Sequence, residues 1–379
     1  MTIAFLRASH VAPDPRLEKE VRSLFKRYPD ISILAWDREG DLPRREIMDA
    51  GTGRAPIKRF SIRGKHGAGM KNLIVLLRFQ FFLAAELWQM RKHLTVIHAA
   101  DLSTAITGLV MARLLRVPLV YDIYDYYVDG YPVPHTLVPF VERLDIAVIN
   151  RADVVLIATE ARVAQLRKAT PRSLHVIHNA PDGSEVLLEH SAVRPNRLVY
   201  VGILSHFRLL EEVLEVFSRR SDWELHIGGF GPLEHVISDY AGRFENIVYH
   251  GRISYRETLQ LESTATALFA VYDPVVPNHK YSAPNKFYEA LFLGKPIVVA
   301  KGTGVDQLVE KYDVGRVIDY NEESFERVVE EVLSDPTLVS EMGERGRDVF
   351  AREFNWSTME TRLHVIYEHL LAERRPRHH

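Results

Sequence analysis

Short β-branched and aliphatic runs alternate with amphipathic stretches along nearly the whole chain. Thr2–Leu6, Ile31–Trp36, Val96–Ala99, Leu119–Asp122 and Val154–Ala158 form one series; Leu198–Val201, Trp223–Ile227, Ile247–His250, Ala267–Val271 and Pro296–Ala300 form a second. Strands separated by helical periods predict parallel sheets covered by helices on both faces. The first helical stretch has Asp14 at its N-cap and Pro15 at N1, and gathers Leu17, Val21, Leu24, Phe25 and Tyr28 on one face, the face that seeks a core. The series pauses at His178-Asn-Ala-Pro-Asp-Gly-Ser184 and restarts at Leu198. The pattern therefore predicts an α/β fold of two doubly wound, Rossmann-like domains, 1–185 and 196–355, joined by a hinge at 180–196 and facing each other across a cleft.

Composition narrows the chemistry. A chain of 379 residues holds two or three domains with full cores, and 48 Lys+Arg against 50 Asp+Glu leave a net charge of -2, so no global charge argument points to nucleic acid. The absence of cysteine excludes disulfide scaffolds, thiolate metal sites and a thiol nucleophile. The opening Met1-Thr-Ile-Ala-Phe-Leu-Arg-Ala has no basic leader region and reads as a first strand, which makes a cytoplasmic protein the expectation. Leu73–Met90 is strongly apolar but interrupted by Arg78, Gln80 and Glu86, a pattern unsuited to a single bilayer-crossing helix.

Charge is nevertheless segregated. Between Gly53 and His93 the chain carries Arg54, Lys58, Arg59, Arg63, Lys65, Lys71, Arg78, Arg91 and Lys92 against the single acid Glu86. Two readings stand side by side: a helix resting on an anionic membrane surface, or core residues with a solvated basic rim.

Several motifs are absent. Gly294-Lys295 lacks the glycine spacing of a P-loop, and Gly229-Phe-Gly231 and Gly302-Thr-Gly304 lack the third glycine of a dinucleotide fingerprint, having Glu234 and Gln307 there. His175 and His178 would point to opposite faces of an extended segment and make poor co-ligands. Asp122, Asp125 and Asp129 surround a tyrosine-rich loop, where loop capping and hydroxyl contact are favoured over Mg²⁺ binding. No metal and no cofactor is expected.

The sharpest signal is Tyr281-Ser-Ala-Pro-Asn-Lys-Phe-Tyr-Glu-Ala-Leu-Phe-Leu-Gly-Lys-Pro296. A polar loop enters a helix with Pro284 at N1, the helix stops at Gly294, and a buried strand follows. The free N–H groups at such a helix start suit a phosphate, and Lys286 adds charge. Glu289 lies among apolar neighbours, where an ionised carboxylate needs donors such as sugar hydroxyls; an ordinary core helix with Glu289 at its exposed edge is the equal alternative.

This segment resembles the signature of nucleotide-sugar glycosyltransferases of the GT-B type, in particular the retaining family four (group 1), in which a glutamate, seven residues and a second glutamate lead into Gly-x-Pro. Glu289, Gly294 and Pro296 match, while Tyr281 stands at the first glutamate position. The resemblance implies ribose binding at Glu289 and a donor loop through Tyr281, Ser282, Ala283, Asn285 and Lys286. Val199-Tyr-Val-Gly-Ile-Leu-Ser-His-Phe-Arg208 is similar to the family's diphosphate-binding turn; Gly202 matches, Arg208 takes a lysine position and Ile203 an arginine position, so one of two cations is missing there. The segments holding Gly229 and Arg252 are similar to the next two strand ends, the second of which frames the nucleobase. On the acceptor side the resemblance picks out Asp14, Arg16, His98 and Asp101, with Asp125, Tyr124 and His10 as the polar groups nearest the chemistry. It implies a retaining, metal-independent hexosyltransferase that takes a UDP or GDP sugar as substrate and modifies a glycan or lipid-linked acceptor, with helix 356–379 crossing back to the first domain. Two other readings belong to the same fold: a sugar-nucleotide epimerase, and a catalytically degenerate binding or activating subunit, suggested by Tyr281, Ile203 and Tyr124.

Overall fold

The computed structural model describes residues 1–64, 73–183, 192–282 and 284–372. Two compact units are present, Met1–Ile177 with Met359–His379, and His178–Thr358. The first unit ends at Ile177, before the expected boundary at 185, and residues 184–191 of the expected hinge lie outside the described residues.

In the first unit the strands are β1 (Thr2–Arg7), β2 (Ile31–Asp37), β3 (Arg45–Asp49), β4 (Arg54–Ser61), β5 (Leu94–Ala100), β6 (Leu119–Ile123), β7 (Val154–Ile157) and β8 (Leu174–Val176). Its helices are α1 (Pro15–Phe25), α2 (Leu73–Met90), α3 (Leu102–Leu115), α4 (Tyr127–Gly130) and α5 (Val138–Ile149). The sheet order is β3-β4-β2-β1-β5-β6-β7-β8, parallel except for the β3–β4 pair. The order reverses between β1 and β5, and in doubly wound sheets ligands bind at the carboxyl ends of the strands flanking that reversal. Asp14 caps α1 by accepting from the Leu17 N–H, with Pro15 at N1.

The second unit contains β9 (Arg197–Ile203), β10 (Glu224–Phe230), β11 (Ile247–Tyr249), β12 (Ala267–Ala270), β13 (Ile297–Ala300) and β14 (Gly315–Ile318). Its helices are α6 (Leu210–Arg219), α7 (Glu234–Arg243), α8 (Tyr255–Ser263), α9 (Asn285–Leu293), α10 (Val305–Tyr312), α11 (Glu322–Ser334) and α12 (Pro336–Val349). The order β11-β10-β9-β12-β13-β14 is parallel throughout and reverses between β9 and β12. Helix α9 ends as expected at Gly294, whose φ of 64° terminates the helix in the left-handed region. At its other end Pro284 occupies the N-cap, not N1: its ψ of 131° is extended.

A final helix, α13 (Trp356–Ala372), joins the first unit from Met359 onward. Lys26 donates to Glu360, the His364 ring bonds the Ser23 carbonyl, and the Tyr367 hydroxyl meets Nδ1 of His98 at 2.7 Å.

All ten sequence-read strands are present. Strands β3, β4, β8 and β14 were not read from the sequence. In β4 the alternation is real, with Ala55, Ile57 and Arg59 facing inward, but a lysine and three arginines over Arg54–Arg63 dominate the pattern.

Candidate functional site

Each sheet gathers polar side chains at its reversal. In the first unit β1 ends at Arg7, and the loop after it carries His10 and Asp14. Arg7 donates from Nε to Asp14 at 2.8 Å and from Nη1 to Asp101. Asp101, at the end of β5, also accepts from the Tyr124 and Asp125 N–H groups and the Tyr131 hydroxyl. One carboxylate therefore ties together the loops after β5 and β6. The Arg7 guanidinium lies 4.0 Å over the Tyr124 ring and that of Arg16 5.2 Å from its centre. Burial, then the acids around it, push the Tyr124 phenol well above its ordinary pKa, so it is a neutral hydrogen-bonding group.

Behind this layer lies a buried network. Arg16 meets both oxygens of Asp122, at 2.9 and 2.8 Å, and donates to the Ile177 carbonyl at 2.6 Å. Burial alone would raise the Asp122 pKa; Arg16 overrides it and holds the carboxylate ionised. Arg16 also lies 3.3 Å from Glu20, but burial and the neighbouring Asp122 charge outweigh it and push Glu20 well above the usual carboxylate range. Arg16 and His98 are 6% and 1% exposed, and His98 stacks on Phe5 at 4.3 Å. The structure thus buries all four expected acceptor residues: Arg16 and His98 lie in this network, and Asp14 and Asp101 pair with Arg7. Glu20, His98 and Asp122 are the described group whose ligand atoms lie within 4.8 Å of one another, as a metal would need, but the Arg16 guanidinium already takes the cation's place on Asp122. The other aspartates diverge: Asp125 pairs with Arg162 at 2.9 Å and Asp129 accepts from Gln165.

His10 is exposed, and its carbonyl is held by Arg59 Nε at 2.7 Å, with Val11 O at 3.0 Å and Pro43 O at 3.1 Å on the same guanidinium. The next residues, Val11 and Ala12, have φ of 55° and 56°, a strained conformation for side chains larger than glycine. Arg59 is 3% exposed. It belongs to this loop's support and not to a surface basic patch, which corrects its expected place in the charged stretch 53–93.

In the second unit β9, β10 and α9 converge. Gly202 and Gly229 are register partners. A Cβ on Gly229 would lie 1.8 Å from the Gly202 carbonyl oxygen at a φ of +127°, so that position requires glycine; one on Gly202 would lie 2.5 Å from Lys286 Nζ and would displace the ammonium. Lys286 is 7% exposed and its ammonium sits 4.4 Å from the Tyr200 ring centre. Burial opposes its charge, and Tyr200, Tyr272, Glu289 and Glu262 more than offset that. Arg208 lies 3.6 Å over the Tyr272 ring. Two cations thus flank one pair of tyrosines at the sheet reversal. Ile203, at the expected arginine position, is 54% exposed and carries no charge, while the Lys286 ammonium lies beside Gly202.

Glu289 is 4% exposed, not at a solvent edge, and the Tyr255 phenol bonds to it. Glu262 on α8 is fully buried, and burial with the Glu289 charge raises its pKa well above the usual range. Ser282 donates to the Thr303 carbonyl at 3.2 Å, Asn285 is exposed at the first position of α9, and Tyr281 is half-buried. Arg252 lies 4.6 Å over the half-exposed Phe230 ring. Ala283 lies outside the described residues. Sequence reasoning missed Arg7, Tyr200, Tyr272, Tyr255 and Glu262; the position of Arg7 at a strand's carboxyl end was the signal available for it.

Residues 16–180 match the family described as "Glycosyl transferase 4-like domain" and residues 189–349 that described as "Glycosyl transferases group 1". No curated protein matches the sequence significantly. Among solved structures, a sucrose-phosphate synthase from Thermosynechococcus elongatus is similar over 98% of this chain and all of its own, with a TM-score of 0.75 at 15% identity. Anabaena HepE, solved in complex with UDP-glucose, is similar over 97% of this chain and 100% of its own, with a TM-score of 0.68 at 15% identity. A trehalose-6-phosphate structure from E. coli, bound with UDP-2-fluoro glucose, covers 98% of this chain and 99% of its own, with a TM-score of 0.70 at 10% identity.

Proposed function

The chain belongs to the group 1 glycosyltransferases of the GT-B fold, and from that premise we propose that it moves a hexosyl group from a nucleoside-diphosphate sugar to a glycan or lipid-linked hydroxyl, with retention and without a metal. The observation that carries the donor assignment is the convergence of Arg208, Lys286 and the amino end of α9 at the reversal of the second sheet. In transfer the bond from the anomeric carbon to the diphosphate oxygen breaks, the electron pair leaves with the diphosphate, the acceptor oxygen bonds to the anomeric carbon, and its hydroxyl proton passes to the departing diphosphate oxygen. Two fixed cations and the positive end of the α9 dipole stabilise the departing charge, the role a divalent ion would otherwise have. Glu289, buried beside Tyr255, is positioned to accept from ribose hydroxyls. UDP is the favoured nucleotide because HepE and the E. coli structure were solved with UDP sugars; GDP is the alternative.

The first unit takes the acceptor. Asp125, Tyr124 and His10 are the groups proposed to meet the reacting hydroxyl, and the network of Arg7, Asp14, Asp101, Arg16 and His98 positions their loops. An acceptor on a lipid carrier and peripheral attachment to a membrane belong to this reading.

The test is transfer or slow donor hydrolysis in excess EDTA. Wild-type protein is expected to keep its activity there, while Arg208→Ala and Glu289→Ala lose it with the fold intact. Abolition by EDTA and recovery with Mg²⁺ or Mn²⁺ would overturn the metal-free reading, and undiminished activity in both variants would overturn the donor site.

A further inference from the structure

The helices α2, α3 and α5 pack side by side and bury Phe79, Leu83, Leu87, Ala105, Met111 and Val148 in the first unit's core. Their opposite surface is also apolar. Ile74 is 69% exposed, Phe81 75%, Val110 60%, Leu114 61% and Phe140 59%, with Trp88 at 47%. A soluble helix layer normally turns charged residues outward, and these three do so with one sign only. Arg78, Arg91, Lys92, Arg113 and Arg116 are exposed on or just after α2 and α3. The acids of the three helices are Glu86, Glu142 and Asp145; the first two are paired with Lys58 and Lys168, and the third is buried.

We infer that this three-helix face is a docking surface for an anionic lipid leaflet, the large apolar side chains entering the acyl boundary and the arginines and lysines meeting lipid phosphates. The inference rests on the reading of the protein as a membrane-peripheral glycosyltransferase and specifies the surface: α3 adds Val110 and Leu114 and α5 adds Phe140 to the residues of α2, and Arg59 contributes nothing. Charge complementarity decides for an anionic leaflet over a second copy of the chain, because a copy would set these cations, which have no acidic partner among the described residues, against one another. Among the described residues no helix is long and apolar enough to cross a membrane, so attachment is along the face and not through the bilayer.

The test is cosedimentation of the full chain with vesicles of phosphatidylcholine alone and of phosphatidylcholine with phosphatidylglycerol, at low and physiological salt. Wild-type protein is expected in the pellet only with the anionic vesicles, less so at higher salt. The double variants Phe81→Glu/Val110→Glu and Arg78→Glu/Lys92→Glu are each expected to bind at least about tenfold more weakly, with unchanged melting curves. Wild-type protein in the supernatant, or variants that pellet as well as wild type, would overturn the inference. A concentration-dependent dimer that Phe81→Glu/Val110→Glu dissociates would overturn it in favour of self-association. Stabilisation by UDP or GDP, measured on the same samples, separates the two claims: nucleotide binding without vesicle binding removes only the docking surface, and vesicle binding with neither nucleotide bound removes only the donor site.

Discussion

Arg16 and Asp145 show how individual buried charges are handled in the first unit. Arg16 grips Asp122 through both oxygens, so that carboxylate stays ionised inside the core. Asp145 is also fully buried, but its partners are neutral: the Tyr121 phenol at 2.8 Å and the Tyr127 backbone N–H. Burial pushes its carboxyl up to about 7, and the hydrogen bond from Tyr121 offsets little of that. A carboxyl whose pKa is raised on folding contributes stability below its unfolded value near 4 and loses it as the pH climbs through 7. The loss is on the order of 4 kcal/mol across that window. Asp145→Asn is expected to abolish this part of the pH dependence and to exceed wild type in stability at pH 8. Denaturant melts of both proteins at pH 5 and pH 8 check it; parallel losses in the two would contradict it. None of this was legible in the sequence, because Asp122 and Asp145 look alike there. Their difference comes from Arg16, which lies 106 residues from Asp122.

Elements were read well where one period dominated and poorly where charge concealed it. The α9 segment was legible from Tyr281 to Pro296 because its glycine and prolines fix both ends, and only the N1 position of Pro284 was misread. Strand β4 was concealed because Arg59 occupies an inward position and looks like a surface charge. Its guanidinium holds three carbonyls. Arg59→Met leaves them without that donor, at about 1–3 kcal/mol for each buried group left unsatisfied. The variant is expected to melt well below wild type while keeping its affinity for anionic vesicles. A variant that melts with wild type but loses vesicle binding would return Arg59 to the surface patch.

At the scale of the whole molecule, alternation of strand and helix was enough to identify two doubly wound sheets, and the family resemblance supplied the donor and acceptor roles proposed for them. The site itself was only partly legible. Glu289, Arg208 and Lys286 were marked by their motif, but the convergence of Lys286 with Tyr200 and Tyr272 depends on the order of strands β9 and β12, which no local pattern encodes. The central claim is that the second unit binds a nucleoside diphosphate through Arg208 and Lys286, and a thermal-shift panel of UDP, GDP, ADP and dTDP with their sugars measures it most directly. One nucleotide is expected to raise the melting temperature of wild type, with about 2.7 kcal/mol of stabilisation at a hundredfold excess over its dissociation constant. Arg208→Ala and Lys286→Ala are each expected to weaken that binding about tenfold or more. The absence of a shift with every nucleotide, or an equal shift in both variants, would contradict the account.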